Sequence, residues 1–146
     1  MTAVASPATY APADAARRSG FSLDTLRYYE KIGLVRDVRR DSAGRRVYDD
    51  ADLEWLGVLR CLRDTGMPIA AMRRYAGLVL DDGARAEATV PERLALLEAH
   101  AGRVAETIDL LLRQQQHLVD KIAFYRGVVR TTHSDLPGGA PARTVT

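Results

Sequence analysis

Thr25-Leu26-Arg27-Tyr28-Tyr29-Glu30-Lys31-Ile32-Gly33-Leu34 is the stretch that decides how this chain folds. It reads as a short helix from about Leu23 to Ile32, with Leu26 and Ile32 facing a core and Arg27, Tyr28 and Lys31 reaching outward. Tyr29 reads as either a contact or a core ring, with the core favoured, and Gly33 stops the helix. Just upstream, Ser19-Gly20-Phe21-Ser22 supplies a turn and then a serine suited to capping the helix N-terminus. Turn, cap, short helix and outward Arg and Tyr groups describe the second helix of a helix-turn-helix, the element that enters a major groove.

Working outward, Pro12 is suited to opening a preceding helix through Arg18, with Asp14 in its first turn. Its apolar content is slight: Ala13, Ala15 and Ala16. Residues 1–9 are small and proline-interrupted, which predicts a disordered N-terminus. On the other side, Arg36 to Tyr48 reads as a short β-hairpin around the turn Asp41-Ser42-Ala43-Gly44. Its four arginines (Arg39, Arg40, Arg45 and Arg46) suit a wing resting on phosphates, the alternative being a solvated basic loop. Asp49 or Asp50 can cap a third helix, in which Leu53, Leu56, Leu59 and Leu62 form a buried stripe that ends at Gly66. Pro68 opens a fourth helix with Ile69, Met72, Tyr75 and Ala76 on one side, and Asp81-Asp82-Gly83 begins a linker over 81–90.

Charge divides in the same way. The overall formal charge is only +2, yet Asp14 to Tyr48 carries nine basic and five acidic residues, a balance of +4. From Asp81 onward eight basic residues face nine acidic ones. Positive charge therefore gathers around the helix that would meet phosphate.

A second long-range pattern follows Pro91. Positions 94, 97, 101, 104, 108, 111, 115, 118, 122, 125 and 129 are Leu, Leu, Ala, Val, Ile, Leu, Gln, Leu, Ile, Tyr and Val. Steps of three and four alternate throughout, and Gln115 is the polar exception. One helix cannot bury such a heptad seam by itself. At 1.5 Å per residue, a helix from Glu92 to Val129 would span roughly 55 Å. The seam is therefore expected to meet a second copy of the chain, with Gln115 restricting register, rather than to fold back on the N-terminal domain.

The 146 residues suit one ordinary core, or one small domain plus an extended helix. The single cysteine leaves no disulfide framework and no multi-cysteine zinc site. MTAVASPATY has neither a basic n-region nor an apolar h-region, and no run has the length of a membrane span, so a cytoplasmic protein without membrane contact is expected. There is no nucleophile–base pair, metal cluster or Gly-rich phosphate loop in a strand–helix setting, so neither an enzyme nor a cofactor is expected.

The run from Tyr10 through Leu78 resembles the MerR family of bacterial transcription regulators. Thr25-Leu26-Arg27-Tyr28-Tyr29-Glu30, Gly33-Leu34, Arg40 with Gly44-Arg45-Arg46-Val47-Tyr48, Asp52-Leu53 and Leu62-Arg63-Asp64-Thr65-Gly66-Met67 carry the resemblance, in order and at the expected separations. It implies a mainly α fold. A winged helix-turn-helix domain of four helices and a small hairpin wing (10–80) would precede a long dimerisation helix (91–130) that pairs antiparallel with its twin, before a disordered tail (131–146). It also implies a homodimer that binds a pseudo-palindromic operator in double-stranded promoter DNA and, on effector binding, distorts the spacer so that RNA polymerase can engage the promoter.

Carried over by position, Ser22, Thr25, Arg27 and Tyr28 fall on the reading helix. Arg40, Arg45, Arg46 and Tyr48 fall on the wing, and Arg17 and Arg18 lie where the first helix can touch phosphate. Leu94, Leu97, Val104, Ile108, Leu111, Leu118, Ile122 and Tyr125 form the expected dimerisation seam. Pro12 and Ala15 stand where the family usually has bulky apolar residues, which predicts a loosely packed first helix.

The resemblance also frames the question of what the protein senses. Metal-sensing relatives carry cysteines around the start of the dimerisation helix, and this chain has none there. His100, His117 and His133 are spaced as solvated histidines rather than metal ligands. Only about 15 residues follow the long helix, so no large effector domain is expected. Cys61, in Arg60-Cys61-Leu62-Arg63, has arginines on either side that can favour a thiolate. It matches a single-cysteine subgroup linked to aldehyde or electrophile response, and the other reading is a small half-buried hydrophobe. Alternatives are a non-covalent small ligand near Tyr75, Leu78 and Leu80, and a coiled-coil interaction module that has lost DNA binding.

Overall fold

The computed structural model describes residues 5–81 and 86–135. Its elements are β1 (Thr9–Tyr10), α1 (Pro12–Ser19), α2 (Leu23–Lys31), β2 (Arg39–Arg40), β3 (Arg46–Asp49), α3 (Asp50–Asp64), α4 (Ile69–Leu80) and α5 (Val90–Ser134). The chain divides into two units, Met1–Ala101 and Gly102–Thr146, with α5 beginning in the first and continuing in the second. Among the described residues no helix is long and apolar enough to cross a membrane.

Local chemistry accounts for the helix ends. Pro12 opens α1, where a missing N–H costs nothing, with Asp14 in the first turn and Arg17 and Arg18 in the last. Gly20 ends α1 in the left-handed region at φ 75°. A Cβ there would also collide with the guanidinium of Arg60, which donates from Nη1 to the Ser19 carbonyl at 3.0 Å. Ser22 caps α2, its Oγ accepting the Thr25 N–H at 3.1 Å. Asp49 caps α3 through a capping box: it accepts the Asp52 N–H at 2.8 Å while Asp52 accepts the Asp49 N–H at 2.9 Å.

The sheet has one strand more than the expected hairpin. β3 pairs antiparallel with β2 (Arg39 opposite Val47, Arg40 opposite Arg46) and also with β1 (Thr9 opposite Asp49, Tyr10 opposite Tyr48), giving the order β1-β3-β2. Thr9, expected in a disordered N-terminus, is therefore in the sheet, whereas residues 1–4 lie outside the described residues. The expected linker is described only at its edges, since 82–85 lie outside the described residues, as do 136–146 of the expected tail. The long helix starts at Val90 and continues to Ser134, past the expected end at 130.

Unit 1 closes over one core. Leu56, Leu59 and Leu62 of α3 meet Leu26 and Tyr29 of α2, Ala15 and Ala16 of α1, and Met72 and Ala76 of α4, with Phe21, Leu34, Val35, Tyr48 and Met67 filling between. Ala15 is fully buried, contrary to the expectation of a loosely packed first helix. Its small side chain fits the interface of α1 with α3 and α2. Ile69 departs from the expected α4 face and is exposed, because it stands at the first turn, beyond the reach of the core. Trp55 donates its indole N–H to the Leu34 carbonyl at 2.8 Å and stacks on Tyr75, with ring centroids 6.0 Å apart. Tyr75 is thus committed to the edge of the core, and Leu80 packs against the same core.

Candidate nucleic-acid interface

α2 and the wing form one basic face. Leu26 and Tyr29 turn inward, so the remaining positions of α2 carry Arg27, Tyr28 and Lys31 to the surface, and Tyr28 is 50% exposed. The wing is held at its tip by Asp41, whose Oδ1 accepts the N–H groups of Ala43 and Arg45, each at 2.9 Å. The Arg45 N–H, with help from the Ala43 N–H and the Arg45 guanidinium, holds the Asp41 carboxyl below the usual carboxylate range. Gly44, at φ 77°, closes the turn, and its carbonyl accepts a hydrogen bond from Arg40 Nη1 at 2.8 Å.

Between α2 and the wing lies a cleft of about 270 Å³ lined by Pro12, Leu23, Leu26, Arg27, Arg40, Arg45, Arg46 and Tyr48. Four arginines ring an apolar floor. A guanidinium fork can take a phosphate or a guanine edge in two parallel hydrogen bonds, so this concentration suits a polyanion. Carboxylates space the cations: Arg27 lies 3.7 Å from Asp24, Arg45 3.2 Å from Asp41, and Arg46 2.9 Å from Glu30. Arg17 and Arg18 both pair with Asp14, and Arg18 also covers the Tyr10 ring at 4.7 Å from its centroid.

Two candidates on this face have their groups engaged elsewhere. The Ser22 hydroxyl caps α2 and donates to Thr25 Oγ1 at 2.9 Å, which leaves Thr25 its own hydroxyl proton. Tyr48, expected on the wing surface, is only 2% exposed and belongs to the core. Arg46 and Tyr48, two residues apart on β3, share one face of the strand, where Tyr48 forms part of the buried floor of the cleft and Arg46 its rim. Burial, and then the Glu30 carboxylate, push the Tyr48 hydroxyl above its ordinary pKa.

The family model described as MerR HTH family regulatory protein matches residues 10–77. An uncharacterized HTH-type transcriptional regulator of Haemophilus influenzae is 41% identical over 120 residues, 81% of this chain and 84% of the relative. HiNmlR, solved as a MerR family regulator lacking the sensor domain and bound to promoter DNA, is 38% identical with a TM-score of 0.75 over 84% of this chain and 94% of its own. The chain belongs to the MerR family. A MerR family transcriptional regulator from Bacillus thuringiensis matches with a TM-score of 0.71 at 26% identity, over 81% of this chain and all of the other.

The rest of the MerR-type expectations fall differently in the two units. In unit 1, Leu97 is half-buried and packs against the core. His100 is misplaced by the sequence pattern: it is 7% exposed, not solvated, and its Nε2 lies 2.6 Å from Thr65 Oγ1. Thr65 Oγ1 also lies 2.7 Å from the Cys61 carbonyl, and His100 Nδ1 is buried without a hydrogen-bond partner among the described residues. One turn of α5 thereby docks on the end of α3, a contact that the heptad spacing concealed. Cys61 itself is exposed rather than half-buried.

In unit 2, Ile108, Leu111, Leu118, Ile122 and Tyr125 are exposed along α5, as is Leu94 in unit 1, while Val104 is half-buried. Leu110, Leu112, Val119, Phe124 and Val128 are exposed as well, so the apolar surface of α5 is wider than the seam. Among the described residues, no group of three or more His, Cys, Asp or Glu side chains is placed to hold a metal ion, and His117 and His133 are exposed.

Proposed function

We propose that this MerR-family transcription regulator binds a two-fold promoter operator as a homodimer, with Arg27 and Tyr28 reading base edges and Arg17, Arg18, Arg40, Arg45 and Arg46 holding phosphate. The observation that carries this reading is the four-arginine cleft between α2 and the wing. The promoter-DNA complex of HiNmlR supports the choice of partner. The exposed apolar face of α5 supports pairing with a second copy. An effector that alters the geometry of the bound dimer would then distort the promoter for RNA polymerase.

Arg46→Ala should weaken binding to every duplex nearly equally and lower the slope of log K against log salt by about one. Arg27→Ala should weaken binding and also change sequence preference, because a base-edge contact is worth about 1–3 kcal/mol of discrimination. Fluorescence anisotropy on the upstream intergenic DNA and on a random-sequence duplex, titrated with salt, measures both. Equal affinity of the wild type and both variants would overturn the assignment.

For the signal we favour Cys61. It is exposed, and its carbonyl accepts the hydrogen bond from Thr65 that leads to His100 of α5. An adduct at Cys61 would therefore form one helical turn from the contact that docks α5. Mass spectrometry after treatment with an aldehyde or quinone should find the adduct, and Cys61→Ser should abolish the transcriptional response to that compound. A Cys61→Ser protein that responds normally makes the thiol structural.

A further inference from the structure

Glu30 sits at the last turn of α2, facing the wing. Arg46 Nε lies 2.9 Å from its Oε2 and 3.3 Å from its Oε1. Arg17, Arg18, Arg27 and Arg45 are each bound to an aspartate three or four residues away, and Arg39 pairs with Asp49 between β2 and the end of β3. Among the described residues, the Glu30–Arg46 pair is the ion pair that ties α2 to the wing. It is also better sheltered, with the Arg46 and Glu30 side chains 38% and 30% exposed.

The geometry of the pair has a direction. A guanidinium carries five N–H donors in a rigid fork, and one edge can be engaged without the other. Glu30 takes Arg46 at Nε, while among the described residues Nη1 and Nη2 of Arg46 make no hydrogen bond. Arg46 lines the basic cleft and Glu30 does not. We propose that Glu30 is a positioning residue for DNA binding: it grips Arg46 from behind, fixes the wing against the reading helix, and presents the terminal amino groups of Arg46 to a backbone phosphate. This rests on the DNA-binding function above and adds a residue to it.

A positioning role and a bare charge predict opposite signs. Glu30 carries negative charge next to a polyanion-binding face, so by charge alone its removal strengthens binding. If it positions Arg46, its removal weakens binding. Glu30→Gln, in the full-length protein, is expected to raise Kd about tenfold on both the upstream intergenic duplex and a random-sequence duplex. Glu30→Asp, which keeps the charge but shortens the reach, is expected to raise it as well. Glu30→Gln combined with Arg46→Ala should bind no more weakly than Arg46→Ala alone, since the two residues act through one contact.

Glu30→Gln that binds as tightly as the wild type or more tightly, with an unchanged melting temperature, overturns the proposal. Should Glu30→Gln fail to fold, Glu30→Asp carries the same test, and wild-type affinity in that variant overturns it. A wild-type protein that binds neither duplex overturns the DNA-binding function itself, and the two failures are thereby distinguished.

Discussion

Leu118→Glu is expected to turn the protein into a monomer and to weaken operator binding by about 10²–10⁴-fold. Leu118 is 63% exposed on α5, in the part of the helix where Ile108, Leu111, Ile122 and Tyr125 are exposed with it. Soluble chains seldom leave so continuous an apolar stripe in water, and the three–four spacing suits a partner helix. A two-fold dimer would carry the glutamate twice, and each copy would place an unpaired charge in a dry seam. Loss of the dimer separates the two reading heads, and each half-site is then bound without the effective concentration supplied by the other. Sedimentation equilibrium and anisotropy on operator DNA measure the two effects. Leu110→Glu is the control: Leu110 is also exposed but lies off the seam, so that variant should remain dimeric. A dimeric Leu118→Glu protein with full affinity would remove the seam from the account.

The second large effect separates a core residue from a DNA contact. Tyr48→Ala should destabilise unit 1 by roughly 3–5 kcal/mol, the usual cost of deleting a buried aromatic ring. That is a large share of the stability of about 5–15 kcal/mol typical of a domain. Tyr48→Phe should melt close to the wild type and bind DNA with unchanged affinity. Tyr48 joins β3 to the core and pairs in register with Tyr10 of β1, so the loss would reach the wing as well. Thermal unfolding and anisotropy on both variants decide the matter. Weakened DNA binding by a stably folded Tyr48→Phe would return the hydroxyl to the interface.

Much of the DNA-binding unit was legible because its signals are local. Ser22 as a cap, Pro12 as an opener, Asp41 to Gly44 as a turn, and Leu56, Leu59 and Leu62 as a stripe each follow from residues within a few positions of one another. The outward placement of Arg27 and Tyr28 follows from the inward placement of Leu26 and Tyr29 on the same helix. What escaped depends on partners distant in the chain. Two residues, Thr9 and Tyr10, are too few to show a strand period, and only β3 makes them one. The heptad spacing does not show that Leu97 also packs against the core, nor does the scatter of the histidines show that His100 meets Thr65 at the end of α3.

The amino-acid sequence by itself determined the order of the helices, the turn and cap of the reading helix, the basic ribbon beside it and the apolar seam of α5, since helical period and capping are properties of neighbouring residues. Tertiary structure alone decided which of those residues remain free to act. It drew Tyr48 into the core, packed Leu97 against it, docked His100 on Thr65, and set Glu30 behind Arg46. The physical reason is that burial and ion pairing depend on which segments meet across tens of residues. Thr25 to Leu34 describes a helix that can read DNA, and the fold supplies the wing that Glu30 holds against it.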